Sequence, residues 1–240
     1  MRKSGLMGFA FALCTAACGD EDQGEGAVKV TAYGESFIED GIPADAMDDG
    51  WAVSFERFDV AISDVRVAGV AVSVEPTVDV SAPSSEQGHE IGSALVPEGN
   101  HGNGSFEIDR IEVVGSASKG GDTKTFAWVF DQGTAYGECD TVTSVSDGGE
   151  ATFQITVHAD HLFYDSLVSE TPQLLFQAMA DADTNDDGDV AQAELAAASI
   201  GAYDPGSEGD VEDLWGWLIA ATRTVGHIDG EGHCEPSSVE

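Results

Sequence analysis

The sequence predicts an α+β protein, an antiparallel β-sandwich followed by a helical segment. Three observations carry this expectation. From Ala27 to Phe163, apolar residues recur mostly at every second position, the spacing of a half-buried strand. Clusters of glycine, aspartate and serine punctuate these runs, and no helical pattern separates them, as in antiparallel sheets. Beyond Phe163 the period lengthens to that of an amphipathic helix. The chain therefore divides into residues 27–163, the sandwich, and 164–240, a helical region ending in a polar tail.

The first residues read as an address. Arg2 and Lys3 precede an apolar run from Leu6 to Cys14, followed by the small residues Thr15, Ala16 and Ala17. A positive end, a short hydrophobic stretch and a small-residue cleavage site make residues 1–17 a secretory signal peptide. The run is too short to stay in a bilayer as a spanning helix. Thr15-Ala16-Ala17-Cys18 resembles the lipobox of bacterial lipoproteins, with Thr15 where leucine is usual. That resemblance implies lipidation of Cys18 and a membrane anchor, with ordinary secretion as the alternative. Gly19 stands where inner-membrane lipoproteins carry an aspartate, so the outer membrane is the expected address, facing the periplasm or the cell surface. Residues 18–26, acidic and rich in glycine, read as a flexible tether.

The strands follow in order. Val28, Val30 and Ala32 alternate with polar neighbours, as do Trp51, Val53 and Phe55. The phase then slips, with Phe58, Val60 and Ile62 taking over, which calls for a bulge near Glu56-Arg57. Val65 and Val67 continue, and later strands run from Phe106 to Val114, through Phe126, Trp128 and Phe130, and through Phe153, Ile155 and Val157. Turns fall at Gly120-Gly121-Asp122 and Asp147-Gly148-Gly149, and a long polar segment covers 81–104.

The helical half opens with a pattern over Asp165 to Ala182, with Thr171-Pro172 as a plausible start. Leu175, Phe176, Met179 and Ala182 share one face. A shorter helix is expected after residue 194, to about Ala202, before Gly201, Pro205, Gly206 and Gly209 interrupt it. Asp210 would cap a last helix in which Val211, Leu214, Trp215, Leu218 and Thr222 lie at helical spacing, giving one apolar face. The tail from His227 to Cys234 carries no pattern and reads as irregular.

Between the first two helices lies the most specific signal, Asp183-Thr184-Asn185-Asp186-Asp187-Gly188-Asp189-Val190-Ala191-Gln192-Ala193-Glu194. Oxygen-bearing side chains stand at loop positions 1, 3 and 5, glycine at 6, an aliphatic at 8 and glutamate at 12. This stretch resembles the calcium loop of the EF-hand family at every diagnostic position. Ca²⁺ takes six to eight hard oxygens at about 2.3–2.6 Å. Asp183, Asn185 and Asp187 would each supply a side-chain oxygen, Asp189 its backbone carbonyl, and Glu194 both carboxylate oxygens. Ala191 has no side-chain oxygen, so water would fill its corner. No second loop accompanies the first, because the stretch from Asp204 has Gly206 at position 3 and Trp215 at position 12. A single hand must dock on the last helix, on the sandwich or on another molecule.

Composition narrows the partners. The chain holds 45 acidic and 9 basic residues, a net charge of -36, which repels nucleic acid and attracts cations. With 42% hydrophobic residues, 11 Phe and 4 Trp it can still bury a core. Once the signal peptide is removed and Cys18 lipidated, Cys139 and Cys234 are left to pair, a free buried thiol being the alternative. That bridge would bring His233 from the tail to the sheet. His158, His161, His227 and His233 could then form a copper or zinc site, the alternative to calcium as the basis of function. The plainer reading is that all six histidines, including His89 and His101, are hydrogen-bonded at strand ends and loops. No nucleophile elbow, zinc-protease pair or phosphate-cradling glycine loop is present, so no enzyme is expected. The expectation is an exported lipoprotein that binds Ca²⁺ in a structural or interaction role, with no protein partner legible.

Overall fold

The computed structural model describes residues 24–207 and 211–239. The expected signal peptide, Cys18, most of the 18–26 tether and the expected cap Asp210 lie outside the described residues.

The chain enters through β1 (Glu25–Tyr33), a short α1 (Glu35–Glu39) and the long β2 (Ala52–Val67). Then follow β3 (Val70–Ala71), β4 (Thr77–Asp79), β5 (His89–Pro97) and β6 (Gly99–His101). The centre of the chain forms β7 (Ser105–Lys119), β8 (Asp122–Phe130), β9 (Thr134–Gly137), β10 (Thr143–Val145) and β11 (Glu150–Val157). One sheet runs in the order β12-β11-β1-β5, where β12 is Gly226–Ile228. A larger one runs β13-β9-β7-β2-β3, with β4 on β2, β8 on β7, and β13 at Glu235–Ser238, and β6 pairs with β10 in a separate two-stranded sheet. Val28, Val30, Phe153 and Ile155 of the first sheet and Phe58, Val60, Phe106 and Val113 of the second belong to one continuous core. The antiparallel β-sandwich is therefore the frame of the molecule. One ladder departs from it: β1 pairs with β11 in parallel, Val30 opposite Phe153 and Tyr33 opposite Thr156. Strands β2 to β10 all lie in the long crossover that a parallel pair requires.

The phase slip in β2 is a bulge. Its register against β7 shifts between Phe55 and Arg57, then again between Ala61 and Ile62 and between Ser63 and Arg66. Each shift returns apolar residues to the inner face, so Phe58, Val60, Ile62, Val65 and Val67 are all buried.

The helical half is shorter in helix than the sequence suggests. Within 165–182 only α2 (Gln177–Asp181) is α-helical. Serine side chains compete for the backbone ahead of it: Ser166 Oγ accepts from the amides of Val168 and Ser169, and Ser169 Oγ from that of Thr171. The amide of Asp165 bonds the Gln173 carbonyl and its carboxylate takes the Gln173 amide, closing a loop where a helix was expected. Asp49, from the sandwich, accepts from the amides of Phe176 and Gln177 at 2.6 and 2.7 Å and so caps α2. After the acidic loop, α3 (Gln192–Leu195) ends long before Ala202, because the Leu214 amide bonds the Ala198 carbonyl and Gly201 turns the chain at φ 61°. The last helix, α4 (Leu214–Thr222), starts at Asp213, whose carboxylate accepts from the Gly216 amide at 2.8 Å. It is buried on nearly all sides, Trp217 as fully as Leu218, rather than along one stripe. Trp215 stacks on Phe130 and Trp217 meets Tyr203 edge-on. The polar tail is not irregular throughout, since β12 joins β11 and β13 joins β9. Cys139 and Cys234 form a disulfide across 95 residues, fixing the tail to the sheet.

Candidate metal sites

Two places gather metal-ligating side chains. The first is the loop 183–194. Asp183 is fully buried as a side chain, and its Oδ2 accepts from Lys124 Nζ at 2.5 Å and from the Gly188 amide at 3.0 Å. Its Oδ1 accepts from the Asp187 amide at 3.3 Å. The Lys124 ammonium first, then the Gly188 and Asp187 amides, hold the Asp183 carboxyl below its usual range against the opposing effect of burial. Asn185 Oδ1 takes the Asp187 amide at 2.8 Å, and Asp187 Oδ1 the Asp189 amide at 2.9 Å. Asp186 and Gly188 lie at φ 57° and 84°, and the glycine carries its share of this bend without a Cβ. Glu194 folds back so that Oε2 accepts from the Ala191 amide at 3.1 Å, while its Oε1 is buried without a hydrogen-bond partner.

The loop docks on the sandwich. The Thr125 amide donates to the Gly188 carbonyl and the Val190 amide to the Thr125 carbonyl, both at 2.8 Å. Trp128 Nε1 donates to the Val190 carbonyl at 2.8 Å, and Thr125 Oγ1 donates to Asp189 Oδ1 at 3.1 Å. Val190 itself is completely buried. Strand β8 thus pairs with the loop through its backbone. Asp183, Asn185, Asp187, Asp189 and Glu194 remain in one short turn, each with a side-chain oxygen already engaged by the loop's own amides or by β8. A buried acid held by an ammonium, and a buried carboxylate oxygen with no donor, suit a cation bound by oxygens.

The second place lies at the end of the first sheet. His158 follows β11, His161 lies in the short 3-10 helix Asp160–Phe163, His227 is central in β12, and His233 precedes the disulfide cysteine. Ring centroids of His158 and His227 are 4.3 Å apart, those of His161 and His227 5.2 Å, and those of His227 and His233 5.1 Å. Three carboxylates join them. Glu35 Oε2 is 3.4 Å from His158 Nδ1, Asp160 Oδ1 is 3.8 Å from the same atom, and Glu231 offers an oxygen near His158 and His227. In the sets His158–Asp160–His161 and His158–His227–Glu231, one ligand atom per residue lies within 4.8 Å of the others.

Electrostatics at this end follow burial. His227 is pushed down to about 3, first by desolvation and then by His158, His161 and His233. Burial likewise lowers His161 and raises Glu35 and Tyr164. Tyr164 donates to Asp160 Oδ2 at 2.8 Å. His89 and His101 stand apart, each on a backbone carbonyl, as the plainer reading holds for them. Sequence reasoning named the four clustered histidines but missed Lys124 and Glu35. Asp160 is flanked by His158 and His161 in the sequence, so spacing could have found it. Glu35 carried no signal, because it reaches His158 only through the parallel register of β1 and β11. Comparison with protein-family models, with curated proteins and with solved structures returns no match.

Proposed function

We propose that this chain is an exported, lipid-anchored protein that binds Ca²⁺ in the loop 183–194, in a structural or interaction role. The observation that carries the reading is Glu194. It stands at the position that would close the coordination shell with two oxygens, and one of those oxygens is buried with no partner. Asp183 fits it as a buried carboxylate already held by one cation, the Lys124 ammonium, with which Ca²⁺ would compete. Through Asn185, Asp187 and the Asp189 carbonyl, Ca²⁺ would tie the turn together, and through β8 it would fasten the helical segment to the sandwich. Oxygen ligands in an isolated loop suit an extracellular-type site with a dissociation constant of about 10⁻⁵–10⁻³ M. Calorimetry on the mature protein should register this binding, and Glu194→Gln should weaken it. A wild type that takes up no Ca²⁺ at millimolar concentration sinks the reading.

The export half rests on the signal-peptide pattern and on the Cys139–Cys234 disulfide, which an oxidising compartment favours. If Cys18 is lipidated, the mature protein partitions into detergent and resists salt washing, and Cys18→Ser moves it to the soluble fraction. Equal solubility of the two proteins would leave simple secretion.

A further inference from the structure

We propose that His158, His161 and His227, with Glu231 and Asp160 beside them and His233 within reach, form a second metal site. Its ligand chemistry selects a late first-row transition ion such as Cu²⁺ or Zn²⁺ rather than Ca²⁺.

Convergence is the first argument. The residues come from the end of β11, the 3-10 turn after it, β12 and the tail, and the tail is held there by a disulfide. The register that places Thr156 opposite His227 sets His158 and His227 side by side. Within each of the two triplets that share His158, His158–Asp160–His161 and His158–His227–Glu231, the ligand atoms lie within 4.8 Å of one another. An ion at about 2.1 Å from each atom of a triplet would draw the atoms inward by less than about 1 Å.

The second argument is an orphan. His227 is 4% exposed, and its Nδ1 is buried with no hydrogen-bond partner. Native interiors seldom leave such an atom unpaired, and an ion supplies the missing partner. The surrounding contacts already do the work of orienting ligands. Glu35 Oε2 lies 3.4 Å from His158 Nδ1, and Thr224 Oγ1 lies 3.0 Å from His161 Nδ1, which leaves Nε2 of His161 for a ligand bond. His158 Nε2 meets the Gly230 carbonyl at 3.3 Å, a long contact that an ion would replace.

The choice of ion follows from the donors. Imidazole nitrogen suits copper, zinc and nickel, whereas calcium takes oxygen. Glu231, Asp160 and Glu35 supply negative charge to offset a divalent cation at a largely buried place. The cluster is not sealed. His161, His227, Glu231 and His233 also line a cavity of about 490 Å³ with Tyr164, which gives an ion an entry path and leaves room for an exogenous ligand. Three protein ligands with one open side describe a reactive or transport-type centre more than a closed structural one.

The test uses the mature protein in millimolar Ca²⁺, so that the loop 183–194 does not compete, and titrates it with Cu²⁺. The expected result is one Cu²⁺ per chain, with nitrogen couplings from at least two imidazoles in its electron paramagnetic resonance spectrum. The variants His158→Gln and Glu231→Gln should weaken Cu²⁺ binding by about 10–100-fold or more, with Ca²⁺ binding and the circular dichroism spectrum unchanged. Glu231 is exposed, so its variant keeps the test open even where His158→Gln disturbs the fold. A wild type that binds no Cu²⁺, a spectrum with oxygen ligands alone, or full affinity retained in both variants overturns the proposal.

Discussion

Lys124 is the residue on which the acidic loop turns. Its ammonium lies on the buried Asp183 carboxylate, and Asp183 in turn holds Lys124 above its usual range. One cation of this chain thus occupies a ligand that Ca²⁺ would use. Two consequences differ in sign. Without calcium, Lys124→Met leaves a buried carboxylate unpaired, which is strongly destabilising, so the melting temperature should fall by several degrees. With calcium, the same variant removes both a competitor and a nearby positive charge. Affinity should then rise by about tenfold, the scale of 1.4 kcal/mol, and saturating Ca²⁺ should restore the lost melting temperature. Calorimetry paired with thermal unfolding checks both, and equal calcium affinity in the two proteins would show that the ammonium does not compete. The acidic residues of the loop could be singled out from the sequence because a calcium-loop pattern is defined by which side chains stand at which positions. Lys124 was not, because it lies in a strand 59 residues away and nothing in the local pattern points across that gap.

At the scale of elements, legibility followed the strength of the hydrophobic period. The bulge at Glu56-Arg57 was readable, since a phase slip along β2 has no other way to keep Phe55 and Phe58 on a buried face. The helix over 165–182 was misread for the opposite reason. Leu175, Phe176 and Met179 do share a face, but the residues before them are serines, a threonine and a proline that bond or break the backbone locally. Phe176 then packs on Trp51, Phe126 and Phe163 without needing a helix before it. Strands β12 and β13 were invisible because main-chain bonds recruited them: β13 is exposed at every residue, so no alternation existed to be seen. The same holds for the docking of the loop 183–194. Its pairing with Thr125 is made by backbone amides, and the side chains that add to it, the Trp128 indole on the Val190 carbonyl, the Thr125 hydroxyl on Asp189 and Lys124 on Asp183, all come from a strand distant in the sequence. The histidine cluster was half legible for a related reason. The residues could be named from the sequence, but their meeting depended on which strand β12 would join and on the disulfide that holds the tail.

For the whole molecule, the disulfide is the tie that makes these distant elements one object. It closes a loop across 95 residues that contains β10, β11, the acidic loop, α4 and β12. In the chain-entropy account, closing a loop of that size lowers the entropy of the unfolded chain by the equivalent of roughly 4–5 kcal/mol. The full sequence carries a net charge of -36, whose self-repulsion works against compactness, so a covalent tie at the tail has an opposing force to resist. Its effect is also local. Cys234 follows His233, the His233 carbonyl accepts from the Asp140 amide at 2.9 Å, and His233 lies 5.1 Å from His227. Replacing both cysteines by serine therefore has two separable outcomes. Denaturant unfolding should show a loss of up to about 4–5 kcal/mol. Cu²⁺ binding should weaken because His233 and the strand beyond it are no longer held at the cluster, while calcium affinity stays near that of the wild type, since Asp183 to Glu194 dock through β8. If stability falls and Cu²⁺ affinity does not, the bridge is a staple of the fold alone and His233 takes no part in the metal site.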